Sequence, residues 1–496
     1  MTYLAPTFAF ALLVAAALPA QAKPPDPLAR ARELLASRSE QEVNEGADLC
    51  AKENSVAAVE LLLETLEQTE RRTHLHLAPG HYRDIVWDRL VKITDAYARR
   101  RVEQELKSGK DPKVRQWCAE LLGTYGDAGF GDTLRKALSA RDDDLQRWAA
   151  RSLGMLKYEA AQSELLALSR NKNDYERANA IEALARIDAS KHLALFTSAI
   201  ANDKSGGVRC ALLGAAPEVS AEETEDLCAK ALQDTDWRPR MQAVQNLGKI
   251  KTKTSVDNLL LALNDGRPVV AARTLRELQE LTGQPIEQAS VWVKWWADNR
   301  ATFAFPDQRG LAKREQSGTV SYNGVPVDSD HVAFLIDKSI QMQQRLESKG
   351  MTKEDAAHAE LQRVLELLDE KITFNVYNYD IAVSALGAKP VKLTSRTRAK
   401  ALSFAAAPSK GREKDIWQVL DTVLPDATLD TCYLLSSGEP DTGLYVHWNR
   451  VTRHLADLNR FHKVVVHTVA YTDNEWFRDQ LKKIAEVTGG HFEWFK

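Results

Sequence analysis

The stretch HVAFLIDKSIQM, residues 331–342, raises the chemical question on which this chain turns. An unbroken apolar run stops at Asp337, and Lys338 and Ser339 follow at once. A strand that ends in charge has two chemical explanations. Its carboxylate holds a metal ion, since a hard divalent cation wants about six oxygens with carboxylates supplying much of the binding energy. Otherwise the carboxylate is matched by a cationic side chain, because an unpaired buried charge is costly. No nucleophile stands beside a base in the pattern: His331, His447, His462 and His467 are isolated near strand or helix ends and are read as structural. Glu439 and Asp441, in SSGEPDTG, form an acidic turn, read as a solvated loop with rim contact to a basic partner as its alternative.

The elements that must position Asp337 alternate. VAFLI (332–336) precedes a helical stretch to about 370, then come ITFNVYNYD (372–380), helices at 396–406 and 415–424, and TCYLLS (431–436). A helix at 445–460, KVVVHTVAY (463–471), a helix at 474–488 and a short strand HFEWF complete the series. Runs such as VAFLI and VVVHTVA have no polar face, as in parallel strands covered by helices on both sides. The expectation is a doubly wound α/β domain, Rossmann-like in architecture, with its ligands at the carboxyl ends of the strands.

The segments VSYNGVPVDSDHVAFLIDKSIQM, LDTCYLLSSGEPDTG and VVVHTVAYTDNEWFRDQLKKIAEVTGGHF resemble a von Willebrand factor type A domain over residues 319–496, of the kind found in bacterial exported proteins after helical repeats. The resemblance implies a metal-ion-dependent adhesion site, where a DxSxS loop, a threonine and a second aspartate hold Mg²⁺ that an acidic ligand group completes. On that pattern Asp337 and Ser339 match, Gln341 replaces the second serine, Lys414 falls on the threonine and Ser437 on the aspartate. One of two carboxylates survives and an ammonium is gained, so the expectation is no metal and no cofactor, with Asp337 paired to Lys414, or to Lys338 as the alternative. Putting like charges together in a shielded cleft costs up to about a few kcal/mol even at an effective dielectric near 20.

From about residue 27 to 303 the pattern is helical and repeats itself. VRQWCAELLGTYG, LQRWAARSLGMLK, ERANAIEALARID, VRCALLGAAPEVS and PRMQAVQNLGKIK align on Gly123, Gly154, Ala185, Gly214 and Gly248, steps of 31, 31, 29 and 34 residues. Each unit opens with an aspartate (Asp111, Asp142, Asp174, Asp203, Asp236) expected to cap the first helix of a pair. Arg115, Gln146, Arg177 and Arg240 follow, read as a ladder bonding each repeat's aspartate to its neighbour. This pattern resembles the HEAT repeats, particularly the short variety of phycobilisome-lyase-like proteins, over 110–285. A solenoid of this kind offers an extended concave face to other macromolecules. Trp292, Trp295 and Trp296, at helical spacing, are expected to plug its exposed apolar end.

At 496 residues the chain is too long for one core, and a net charge of −3 without a basic stripe excludes nucleic acid as a natural partner. FAFALLVAAALPAQA ends in a small-x-small site at Ala20-Gln21-Ala22, the pattern of a cleaved signal peptide, and no later run reaches the roughly 20 apolar residues of a membrane span. Cys50, Cys118, Cys210, Cys228 and Cys432 show no CxxC spacing and are read as buried small hydrophobes. The organisation expected is a signal peptide at 1–22, an all-α solenoid at 23–305, a linker at 306–318 (PDQRGLAKREQSG) and the α/β domain at 319–496. The function expected is a non-enzymatic, exported (periplasmic or extracellular) protein-binding scaffold. The alternatives are a Mg²⁺-dependent adhesin and a lyase-like or chaperone role for the repeats.

Overall fold

The computed structural model describes residues 26, 28–37, 39–69, 79–307, 320–346 and 349–495. The signal peptide expected at 1–22 lies outside these residues, as does most of the linker expected at 306–318. Among them, α-helices fill the chain to Asn299 and strands begin at Ser321. No helix is long and apolar enough to cross a membrane. The architecture is a helical solenoid followed by a doubly wound α/β domain.

The solenoid helices used below are α1 (Glu40–Glu53), α2 (Pro79–Leu90), α3 (Pro112–Tyr125), α4 (Asp143–Met155), α5 (Asp174–Ile187), α6 (Gly206–Val219), α7 (Trp237–Leu247), α8 (Pro268–Thr282) and α9 (Ala289–Asn299). Helices α3 to α8 stack in order, each the first of a pair. Small residues at the crossings permit the close approach: a Cβ on Gly123 would lie 2.3 Å from Ser152 Oγ of the next repeat. Side chains of Asp111, Asp142 and Asp236 cap α3, α4 and α7. Two expected caps are corrected. Asn173, not Asp174, caps α5, and Ser205, not Asp203, caps α6. The displaced aspartates join the ladder instead: Arg177 holds Asp203 and Asp174, Arg209 holds Asp234, and Arg240 holds Asp265. Arg115 and Gln146 bond the carbonyls of Leu106 and Ala140. On α9, Trp292 and Trp296 are buried and close the second apolar cluster of the solenoid, with Trp295 packed against Phe303. All five cysteines are buried and unpaired.

Apart from two small two-stranded sheets, the strands of the α/β domain form one seven-stranded sheet of β1 (His331–Asp337), β2 (Thr373–Tyr379), β3 (Val383–Ala385), β4 (Val391–Lys392), β5 (Thr431–Ser436), β6 (Val465–Ala470) and β7 (Phe492–Trp494). Their order is β7-β6-β5-β1-β2-β3, with β4 also on β2. The four pairings that join β7 to β2 are parallel, whereas β3 and β4 are antiparallel to β2, so the sheet is mixed rather than wholly parallel. Alternate residues of β1 feed two cores: Val332, Phe334 and Ile336 pack under α10 (Lys353–Leu367), and Ala333 and Leu335 pack under α11 (Ile416–Val423), α12 (Trp448–His462) and α13 (Glu475–Thr488). That two-sided burial is why the run carries no polar residue until its end.

Candidate functional site

β1 and β5 are neighbours at the point where the strand order reverses, so their carboxyl ends flank the crevice in which such sheets place ligands. Asp337 closes β1, Ser437 follows β5, and Lys414 precedes α11, whose cap is Asp415. Asp441 fixes the Lys414 backbone: its Oδ2 accepts the Lys414 N–H at 3.2 Å, and its own N–H donates to the Lys414 carbonyl at 3.0 Å.

The side chains of Asp337, Ser339, Gln341, Lys414 and Ser437 converge. Lys414 is 1% exposed and Asp337 0%. The Lys414 ammonium donates to Ser437 Oγ (3.2 Å), Ser339 Oγ (3.3 Å) and Gln341 Oε1 (3.5 Å), and Asp337 Oδ2 is 3.6 Å away. Asp337 Oδ1 accepts the Ser339 N–H at 2.8 Å, while Oδ2 accepts the Ser437 N–H at 2.9 Å and hydroxyl at 2.6 Å. Lys338 points elsewhere, to Glu354 and the Ala405 carbonyl. Of the acidic turn, Asp441 lies 3.9 Å from the ammonium, and burial pushes its carboxyl up against the pull of Lys414. Glu439 is exposed and does not join the cluster.

This donor set does not fit a hard dication. The Ser339, Gln341 and Ser437 oxygens already accept from the Lys414 ammonium, and a dication placed among them would be repelled by that buried charge.

A second constellation went unread in the sequence. Helix α12 carries Arg450, Arg453, Asp457 and Arg460 at helical spacing, and that stripe lies against the solenoid. Arg453 meets Glu120 of α3 at 2.6 Å, Asp457 meets Arg151 of α4, and Arg460 meets Glu182 of α5 at 2.8 Å. Glu120, Arg151 and Glu182 occupy one repeat position, three residues before Gly123, Gly154 and Ala185. Further along, Lys463 donates to Gln245 and Tyr175 bonds His462. At the helix start, buried Asp84 of α2 accepts the N–H groups of Val446 and His447 and pairs with Arg450, whose guanidinium also sits 3.9 Å over the Trp87 ring. Burial pushes the Asp84 and Glu120 carboxyls up against the pull of Arg450. Burial acts on Glu182 too, but Arg460, Arg186 and Arg151 outweigh it and hold that carboxyl low. Gly80 is required here, since a Cβ would come within 2.4 Å of the Gly443 carbonyl. One long face of the solenoid is thus taken by the chain's own α/β domain.

Residues 100–185 and 193–279 match the HEAT-repeat family. No curated protein matches the chain. Among solved structures, the complex of CpcE and CpcF of phycocyanin lyase from Nostoc sp. PCC7120 is similar at 20% identity, covering 57% of this chain and 97% of that one with a TM-score of 0.26. A von Willebrand factor type A protein from Catenulispora acidiphila is similar at 13% identity, covering 35% of this chain and 40% of that one with a TM-score of 0.28.

Proposed function

We propose that this protein is an exported, non-enzymatic scaffold that binds other proteins, and that its α/β domain is of the von Willebrand factor type A kind with the metal position filled by Lys414. HEAT repeats point to protein interaction as the general role. The observation that carries the finer reading is the Lys414 ammonium, held by Ser339, Gln341 and Ser437 beside Asp337 in a closed, buried cluster. A cluster satisfied from within offers no open coordination position to an acidic ligand group, so recognition falls to the protein's surfaces rather than to a cation.

Calorimetry of the full chain with Mg²⁺ tests this. The wild type gives no binding isotherm, and the triple change Gln341→Ser, Lys414→Thr, Ser437→Asp creates one. Micromolar Mg²⁺ binding by the wild type sinks the reading. Export is checked by mass spectrometry of native protein, with a mature N-terminus at or near Lys23. Pull-down of the tagged mature protein from an envelope fraction then identifies partners.

A further inference from the structure

Where the solenoid meets the loop before α12, two histidines and a glutamate from three separate helix starts converge. Glu40 opens α1, His81 lies in the first turn of α2, and His447 stands just before α12. One ligand atom from each lies within 4.8 Å of the other two. Glu40 Oε1 is 3.4 Å from His81 Nδ1 and 3.5 Å from His447 Nε2. A tetrahedral zinc site with bonds of about 2.0–2.1 Å has ligand–ligand edges of about 3.3–3.4 Å, so both separations match such an edge.

The outer nitrogens are arranged to suit. His81 Nε2 lies 3.3 Å from the Asp441 carbonyl and His447 Nδ1 lies 3.6 Å from Asp88 Oδ2. A proton placed on each outer nitrogen turns both inner lone pairs toward Glu40, the tautomer pattern that metal-ligating histidines adopt. The inner nitrogen of His81 is buried and has no hydrogen-bond partner. Beside the triad a cavity of about 390 Å³ is lined by the same three residues together with Glu439, Trp476 and Lys483.

We infer that Glu40, His81 and His447 form a zinc site that joins the solenoid to the α/β domain, with Asp88 orienting His447 and the fourth position facing the cavity. Imidazole nitrogens with one carboxylate suit Zn²⁺ and leave the open position typical of three-ligand sites. None of the three ligands belongs to the Lys414 cluster, and Asp441 is the one residue that borders both. Among the described residues the other grouping of this kind, Asp330, His331 and Asp430, is otherwise engaged: Asp430 is held by Arg267, Ser329 and Thr431, and His331 Nδ1 by Asp330.

The test is zinc titration of metal-stripped full-length protein against a chromophoric chelator, with X-ray absorption of the loaded protein. One equivalent binds at micromolar affinity or tighter, and the absorption spectrum shows two imidazoles. His81→Gln and His447→Gln each weaken binding at least 100-fold, and Asp88→Asn weakens it roughly 10- to 100-fold. His331→Gln leaves the stoichiometry and affinity unchanged. Thermal melts show whether each variant is folded, and the wild-type titration stands without them. The proposal is overturned if folded wild type takes up no zinc at 100 µM free metal, about 100 times a micromolar Kd and enough to fill such a site. It is equally overturned if zinc binding survives in folded His81→Gln or His447→Gln, or is lost in His331→Gln.

Discussion

Asp84 in the solenoid caps the helix that follows His447 in the other domain: its Oδ2 accepts the His447 N–H at 2.7 Å, and that of Val446 at the same distance. His447 has no side-chain cap of its own, so the end of α12 is completed from 363 residues away. Asp84→Ala removes the cap and leaves Arg450 buried without that partner. Loss of one member of a buried pair costs about 3–5 kcal/mol, to which Glu120 restores part. The expected loss in chemical denaturation is therefore about 2–4 kcal/mol. A loss under about 0.5 kcal/mol, the size of an ordinary surface change, contradicts the role.

The stripe on α12 also governs what happens when the chain is cut. Proteolysis in the polar stretch between the domains is expected to yield two folded parts. Because Glu120, Arg151 and Glu182 face Arg453, Asp457 and Arg460 in a largely buried seam, the parts remain together after cleavage. Buried pairs are screened little by salt. The nicked protein is expected to elute as one species on size exclusion even at 0.5 M salt, where the Debye length is only about 4 Å. Separation of the fragments at low salt refutes the seam.

Acid should loosen the same seam through His462. Burial, with Arg238 nearby, pushes its imidazole down to about 4, and Tyr175 bonds its Nε2. The unfolded histidine takes a proton near pH 6.5 while the folded one does not until about pH 4. Between those values the unfolded state binds more protons, so stability falls as pH falls. His454 and His467, also held low by burial, act in the same sense. Glu176 and Asp415, raised by burial to about 7 and about 6, act in the opposite one. His462→Gln isolates the effect: in denaturant titrations between pH 4 and 6.5 the variant loses less stability on acidification, by about one proton's slope. Parallel profiles for the two proteins refute it.

Much of the fold is legible in the sequence for physical reasons visible at particular residues. β1 reads as a buried strand because both of its faces are covered, and the repeats read through the small residues at the crossings. β3 and β4, three and two residues long in the turn-rich VSALGAKPVK, carry too little periodicity to be seen. The caps slipped at Asp174 and Asp203 because an aspartate before a helix suits either a cap or an arginine ladder, and the neighbouring Asn173 and Ser205 took the capping role. The five residues of the Lys414 cluster are legible through their positions in a resemblance, whereas their mutual contacts depend on how distant loops fold together. The seam was encoded in Glu120, Arg151 and Glu182 at a 31-residue step, but charges at a repeat position read as solvated until their partners on α12 are known.

The ammonium of Lys414 provides the most direct test of how the strand end is held. Lys414→Ala removes the cation 3.6 Å from Asp337 Oδ2 and leaves three donors, the N–H groups of Ser339 and Ser437 and the Ser437 hydroxyl. Those donors soften the loss without cancelling a buried charge. Removing one partner of a buried pair costs about 3–5 kcal/mol, so with the donors in place about 2–4 kcal/mol is expected by denaturant unfolding. Asp337→Asn alone strands the ammonium among Ser339, Gln341 and Ser437, and should also destabilise the chain. The double change removes both charges and should cost less than the sum of the two, a coupling of about 1–3 kcal/mol in the double-mutant cycle. Additive single losses would mean that Lys414 and Asp337 are merely neighbours, each satisfied by the hydroxyls between them.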